Sequence, residues 1–481
     1  MGGELRQRVA SGVAWSLGEK IASMLLQAGV SIVVLRMLTP DDMGIMTIPT
    51  VLVTLALVVV DSGFSQTLIR MPAPSERDYG AVFRFNVVVS LALYAALVAA
   101  MPWVARFYGM PLLTRIAPVL FLLLPLNALC VIPNTIFTRC FRFASLSKIV
   151  FASTFAGGAV AVGMACGGCG IWSLVGQRVT AMGVKALLLW RAGGWRPRAS
   201  GGWRQLRAMA PFSLRLLATD LIAAVYNNVS QLFVGKLYPV DRLGFFNQAQ
   251  KLRDLSVGST MQAVQSVTFP ALSAIAGDRV KFAESYRQVV MIVAFVMFPV
   301  TAGLICVAPD MFAALLGEKW MPIVPYFRTI ALSGFFAPIA SVAYNVLKVR
   351  SDGGVIVRLE VLKKVVMTLV LAATIPCGVL ALTGGLAAMT FFEMVVNFGA
   401  TTRYAGLTWG RFLRTLLPVA LVTAAMAAAV CAVRLWVPLA PLPALLLQAV
   451  VGVLCYVGLS RLFRLEAWRT TLEIVKKLVG R

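Results

Sequence analysis

The chain has 481 residues, 59% of them hydrophobic and 13% charged, with a mean hydropathy of +0.85 and a net charge of +25. Soluble domains carry roughly 25% charged residues, so half that density over this length excludes a water-soluble particle. The absence of histidine removes the usual metal ligand and the usual general base at neutral pH.

Apolar runs of about 20 residues recur from end to end, each long enough to span a bilayer as a helix. They do not alternate, which excludes a β-barrel. The expected fold is an all-α polytopic membrane protein of about fourteen spans, with boundaries good to a few residues. In chain order the spans are 12–37, 44–69, 80–105, 112–138, 146–167, 170–190, 210–236, 244–272, 284–308, 322–347, 354–376, 379–402, 412–434 and 440–462. Met1 to Arg8 is basic, but the apolar stretch after it lacks a small-x-small cleavage site, so it reads as a retained first helix. Between the fifth and sixth spans, Cys166-Gly-Gly-Cys169 fits a tight turn or an outer-face disulfide. A zinc site there lacks a second cysteine pair or a histidine. The other cysteines sit singly in apolar runs, as small buried hydrophobes do. All connections are short, the longest being the Arg-rich stretch Arg191 to Arg207. The tail places Leu465, Trp468, Leu472, Val475 and Val479 among basic residues, the spacing of a short interfacial helix.

The connections alternate in charge. The N-tail, the even-to-odd loops and the C-tail carry twenty-eight of the 44 lysines and arginines, the opposite loops eight, and the spans eight. That bias puts both termini in the cytoplasm and supports an even span count. The basicity is therefore mostly topology, and partly attraction to anionic lipid heads; it does not call for nucleic acid.

The first span ends in Ser31-Ile-Val-Val-Leu-Arg-Met-Leu-Thr-Pro40-Asp-Asp-Met-Gly44, and the seventh in Ser230-Gln-Leu-Phe-Val-Gly-Lys-Leu-Tyr-Pro239-Val-Asp-Arg-Leu-Gly244. The two copies are offset by about 200 residues. Six spans separate them, so they share one orientation, as in parallel transporter repeats with the substrate site between the halves. The expected organisation is an N-terminal six-helix lobe over 1–205, a second over 206–405, and two further helices with a basic tail over 406–481.

Polar side chains are costly in hydrocarbon and normally face a bundle interior or a wet cavity. Four spans carry them at helical spacing: Ser16, Lys20, Ser23, Gln27 and Ser31 in the first; Thr47, Thr50, Thr54, Asp61 and Ser65 in the second; Ser213, Asp220, Asn227 and Gln231 in the seventh; and Asn247, Lys251, Asp254, Gly258 and Gln265 in the eighth. These are helices one and two of each half. The stripes form either the wall of a polar central cavity or interhelical hydrogen bonds within each half. Arg178, Arg215, Lys363 and Lys364 lie near enough to the cytoplasmic ends to snorkel, and Glu360 with Lys364 forms an i, i+4 ion pair.

Several segments together resemble the oligosaccharide flippases of the multidrug/oligosaccharidyl-lipid/polysaccharide exporter superfamily, in its Wzx-type lipopolysaccharide and exopolysaccharide branch. They are Gly170-Ile-Trp-Ser-Leu-Val175, Asn227-Asn-Val-Ser-Gln-Leu-Phe-Val-Gly-Lys236, Leu243-Gly-Phe-Phe-Asn-Gln-Ala-Gln-Lys-Leu252, Phe269-Pro-Ala-Leu-Ser273 and Leu316-Gly-Glu-Lys-Trp320. The resemblance implies two six-helix lobes in a V around a central cavity, plus two C-terminal helices. It implies undecaprenyl-diphosphate-linked oligosaccharide as cargo, alternating access as mechanism, and a cavity walled by the first two helices of each lobe. The matching walls are Asn227–Lys236 and Gly244–Lys251.

Under that reading the anionic diphosphate needs cations in a low-dielectric setting, for which Lys20, Lys251 and Arg253 are the candidates. Gln27, Asp61, Asn227, Gln231 and Asn247 are candidates for hydrogen bonds to the sugars. Asp61, Asp220 and Asp254 are the carboxylates available for H⁺ or Na⁺ coupling; no other cofactor and no metal is expected. The partners are the lipid-linked glycan, membrane lipids and the polysaccharide polymerase and export machinery, in the bacterial inner membrane. A cation-coupled multidrug exporter keeps the fold and changes the cargo. A membrane glycosyltransferase or polymerase would need a sizeable outer loop bearing carboxylates or arginines, and none is visible.

Overall fold

The computed structural model describes residues 2–197, 202–258, 268, 272, 273, 275, 277–351, 353–437 and 439–479; for residues 2–14, 16, 17, 21, 279 and 474–479 it describes only the backbone. Arg198, Gln265 and Phe269 to Ala271 of the sequence patterns above lie outside the described residues. Among those described, the chain is helical and contains no strand.

The helices are α1 (Gly2–Met37), α2 (Pro40–Asp61), α3 (Phe64–Arg70), α4 (Glu76–Tyr108), α5 (Leu113–Phe121), α6 (Leu123–Arg139), α7 (Phe143–Cys166), α8 (Trp172–Gly193), α9 (Trp203–Leu237) and α10 (Val240–Arg253). A π-helical turn, Asp254–Gly258, follows α10. The remainder are α11 (Arg279–Leu315), α12 (Ile323–Ala331), α13 (Ser333–Arg350), α14 (Gly353–Thr374), α15 (Val379–Ala405), α16 (Trp409–Trp436), α17 (Pro441–Leu462) and α18 (Glu466–Val479). Among the described residues, eleven helical segments are long and apolar enough to cross a membrane. Three expected spans fall outside that set: α8 with Arg178 and Lys185, α10 with Lys251 and Arg253, and α14 with Arg358, Glu360, Lys363 and Lys364. For α8 and α14 charge density is the reason, and a helix of that polarity in a bilayer needs protein or water on one face; α10 is only 14 residues long as described.

Local chemistry sets the ends. Thr39 accepts from the Asp42 amide at 3.2 Å while the Asp42 carboxylate accepts from the Thr39 amide at 2.9 Å, a reciprocal cap followed by Pro40 at the first helical position. Ser75 and Asp78 repeat the device at α4. Asp278 opens α11; the Lys281 and Val280 amides bond its carboxyl and hold it below the usual carboxylate range. Cys166 and Cys169 are free thiols on a turn through Gly168 and Gly170, both at positive φ, which agrees with the tight-turn reading.

Three spans read as continuous are interrupted: the second between α2 and α3, and the fourth and tenth within their apolar runs. Pro125 lacks an N–H for the Phe121 carbonyl, and the run breaks at Leu122 between α5 and α6. The corresponding run breaks at Leu332, where the Ser333 hydroxyl donates back to the Ile330 carbonyl at 2.7 Å.

The helices group into two compact units, Met1–Gly244 and Phe245–Arg481. In the first, α1 packs along α7, where Val30 lies against Gly158, and α9 packs on α2, α3 and α4. By internal repeat α9 starts the second lobe; by packing it belongs to the first unit. In the second, α11, α13, α15, α16 and α17 enclose an apolar core around Phe282, Tyr286, Phe398 and Phe412.

Candidate functional site

The first unit assembles its polar side chains around α2. Three threonines at helical spacing satisfy themselves on their own helix: Thr47, Thr50 and Thr54 donate to the carbonyls of Met43, Met46 and Thr50 at 2.8, 2.7 and 2.9 Å. Back-bonding of this kind makes a hydroxyl stripe cheap to hold at depth while leaving its lone pairs free to accept. One lone pair is used: Arg178 Nη1 on α8 donates to Thr50 Oγ1 at 3.1 Å. Among the described residues no carboxylate lies within 4 Å of that guanidinium. The snorkelling expected for Arg178 is therefore corrected; it turns onto the polar face of α2.

The stripe ends at a break in the helix. Ser62 (φ 48°) and Gly63 (φ 67°) are both left-handed, and α3 restarts at Phe64. Gly63 is required twice over, by its φ and because a Cβ there would come within 3.0 Å of the Ser213 carbonyl on α9. Asp61 is the last residue of α2, and Ser65 on the first turn of α3 donates to it at 2.6 Å. Thr67 and Ser213 share a buried hydrogen bond of 2.7 Å between α3 and α9. Two turns along α9 from Ser213, Asp220 stands within electrostatic range of Asp61. Two of the three candidate coupling carboxylates thus lie on neighbouring helices, α2 and α9.

The other candidates of the first unit lie apart from that pair. On α1, Lys20 and Gln27 are exposed, while Ser23 turns back to Glu19 at 2.8 Å. On α9, Asn227 is exposed and Gln231 half-buried. A cavity of about 440 Å³ between α1 and α7 is lined by Trp15, Glu19 and Lys148 and includes none of the candidates.

In the second unit Asn247 is buried, Lys251 exposed, and Arg253 is ion-paired to Asp254 at 3.2 Å where α10 passes into the π-helical turn. A candidate diphosphate ligand and a candidate coupling carboxylate therefore neutralise each other. Glu360 pairs with Lys363, one residue before the Lys364 that the i, i+4 spacing pointed to. Lys363 is buried, with its ammonium 5.0 Å from the Tyr344 ring centre, so it does not snorkel. Sequence reasoning missed Arg178 as a site residue, and the available signal was its place mid-span, seven residues before Lys185.

The family profile described as "Polysaccharide biosynthesis protein" matches residues 33–325. The chain belongs to this family. It is 23% identical to the teichuronic acid biosynthesis protein TuaB of Bacillus subtilis (strain 168) over 72% of this chain and 73% of that one. It is 22% identical to the lipopolysaccharide biosynthesis protein WzxC of Escherichia coli (strain K12) over 75% and 73%. Among solved structures, the lipid II flippase MurJ in an inward closed conformation aligns with a TM-score of 0.71 at 14% identity, over 94% of this chain and 98% of that one. At that identity the likeness concerns fold, and it agrees with the all-helical membrane architecture expected from composition.

Proposed function

We propose that this protein carries undecaprenyl-diphosphate-linked oligosaccharide repeat units from the cytoplasmic to the periplasmic leaflet of a bacterial inner membrane, by alternating access, with both termini cytoplasmic. The observation that carries the reading is Arg178 bonded to Thr50 on a polar stripe: a guanidinium at bilayer depth, without a carboxylate partner among the described residues. An uncompensated cation there needs an anion to offset its desolvation, and a diphosphate supplies one. The names of TuaB and WzxC, both polysaccharide biosynthesis proteins, and of MurJ, a lipid II flippase, support cargo of this class.

In this reading Lys20 and Arg178 are the first unit's cations for the diphosphate, and Lys251 on α10 is the candidate of the second unit. Arg253 contributes only when its pair with Asp254 opens. Gln27, Asn227, Gln231 and Asn247 exchange hydrogen bonds with the sugars, and the lipid tail stays in the bilayer. Each negative charge moved outward across a membrane that is negative inside gains about 2.3 kcal/mol per 100 mV, so the membrane potential can drive transport. The Asp61–Asp220 pair is suited to hold a proton or a Na⁺ between two like charges, which would add ion coupling. The polysaccharide polymerase is the expected downstream partner.

Deletion of the gene, in a strain without a second flippase, tests the reading: lipid-linked repeat units should accumulate on the cytoplasmic leaflet. Unchanged surface glycan in that deletion would remove the proposal.

A further inference from the structure

The second unit holds a cavity of about 860 Å³ among α11, α16, α17 and the start of α18. One end is basic. Arg287, Arg411, Arg414 and Arg464 line it, with Glu466 as the one lining carboxylate. Arg287 is already committed: its guanidinium donates to Glu466 at 3.0 Å and to Glu284 at 3.1 Å. Arg411 acts on Glu284 at longer range. Among the described residues, no carboxylate lies within 4 Å of Arg411, Arg414 or Arg464. The basic end therefore has a surplus of positive charge.

The other end is apolar and opens sideways. Leu421 lines the cavity and is 62% exposed, and Leu413 and Leu417 continue its exposed row along α16. Phe463, another exposed lining residue, stands beside Arg464 where α17 ends, so apolar surface also borders the basic end. On a membrane-spanning helix such a row faces acyl chains.

The site is built. Arg464 stands at φ 50°, a left-handed conformation that a side chain adopts only where its surroundings impose it. Those surroundings are the turn in which the Leu465 amide bonds the Ser460 carbonyl at 3.0 Å, and the buried Leu465 and Ala467 that dock the start of α18. The Glu466–Arg287 ion pair fixes the same turn.

We propose that this cavity binds one anionic glycerophospholipid of the surrounding bilayer, its phosphate held by Arg411, Arg414 and Arg464 and an acyl chain laid along the Leu421 wall. Charge complementarity selects an anionic head, and the lateral apolar opening selects a lipid over a free phosphate. The volume is that of a small-molecule site, enough for a head group and part of one chain. The proposal requires only that the chain spans a membrane; it stands or falls apart from what the protein transports.

Native mass spectrometry of the purified full chain tests it, with phosphatidylglycerol, phosphatidylethanolamine, undecaprenyl phosphate and inorganic phosphate as separate probes. The expected result is preferential retention of phosphatidylglycerol, weakened by about tenfold or more in the double variant Arg411→Gln/Arg414→Gln, since each basic residue at an anionic lipid surface contributes about a fivefold step. Both arginines are exposed, so this change spares the core. Leu421→Trp, which fills the apolar wall, should weaken the same lipid and leave phosphatidylethanolamine adducts unchanged. Equal phosphatidylglycerol retention by wild type and both variants would overturn the proposal. So would its one-for-one displacement by undecaprenyl phosphate, or by inorganic phosphate.

Discussion

Gly44 and Gly244 stand 200 residues apart in the chain and press on each other's helices in the same way. A Cβ at Gly44 would lie 2.0 Å from the carbonyl oxygen of Val240, and a Cβ at Gly244 would lie 2.0 Å from that of Pro40. Pro40 and Val240 are the first residues of α2 and α10 and are themselves 200 apart. The first turns of two repeat-related helices therefore cross through reciprocal glycine contacts, four residues into each helix. No side chain, not even a methyl group, fits that approach.

This crossing predicts a conformational effect of single methyl groups. Gly44→Ala or Gly244→Ala should disfavour the crossed state and favour states in which the two helix ends separate. A thiol placed at buried Met43, in a background without the eight native cysteines, should react faster in either variant. Unchanged reactivity would mean that the helix ends part by another route.

Arg178 should matter for transport far more than for folding. Arg178→Gln removes the cation and should lower lipid-linked glycan flipping in reconstituted vesicles by about tenfold or more, the worth of a lost hydrogen bond to a charged group. Arg178→Lys should recover part of the rate, because Lys keeps the charge but not the fork. Equal rates in all three proteins would exclude Arg178 from the cargo path.

The carboxylate pair separates the two driving forces. Asp61→Asn and Asp220→Asn should each abolish stimulation by an imposed H⁺ or Na⁺ gradient while leaving stimulation by membrane potential in place. Transport assayed in vesicles under one gradient at a time measures this directly. Retained ion stimulation in both variants would place coupling elsewhere.

The Thr67–Ser213 hydrogen bond tests the packing of α9 on the broken second span. A double-mutant cycle with Thr67→Val and Ser213→Ala should give a coupling of about 0.6 kcal/mol, the average for interhelical hydrogen bonds in membranes, with about 1.7 as the ceiling. A coupling of zero would mean the two hydroxyls meet without holding the helices.

Much of this architecture was legible in the sequence because bilayer thickness imposes one length on every span. The repeat was legible too: Pro40 and Gly44 against Pro239 and Gly244 put the two helix junctions at the correct offset. What stayed hidden depends on single contacts. Asp61-Ser62-Gly63 carries the polar residues and glycine of a turn inside one apparent span, but only the approach of Ser213 shows that the left-handed pair at 62–63 is where the helix breaks. Arg178 and Lys363 share the composition of snorkelling residues; what separates them is the neighbour each meets, Thr50 for one and Glu360 for the other. The pairing of Arg253 with Asp254 was invisible for the same reason, since adjacent residues on a regular helix point apart.

The claim that the polar faces of α1 and α9 form a cargo path is tested most directly by thiol protection. Cysteines at Gln27 and Asn227, in the cysteine-free background, should react with a membrane-impermeant reagent, and added lipid-linked oligosaccharide should slow both reactions. If neither position reacts from either side of the membrane, or if both react at rates the cargo leaves unchanged, these stripes are packing and the transport path lies elsewhere.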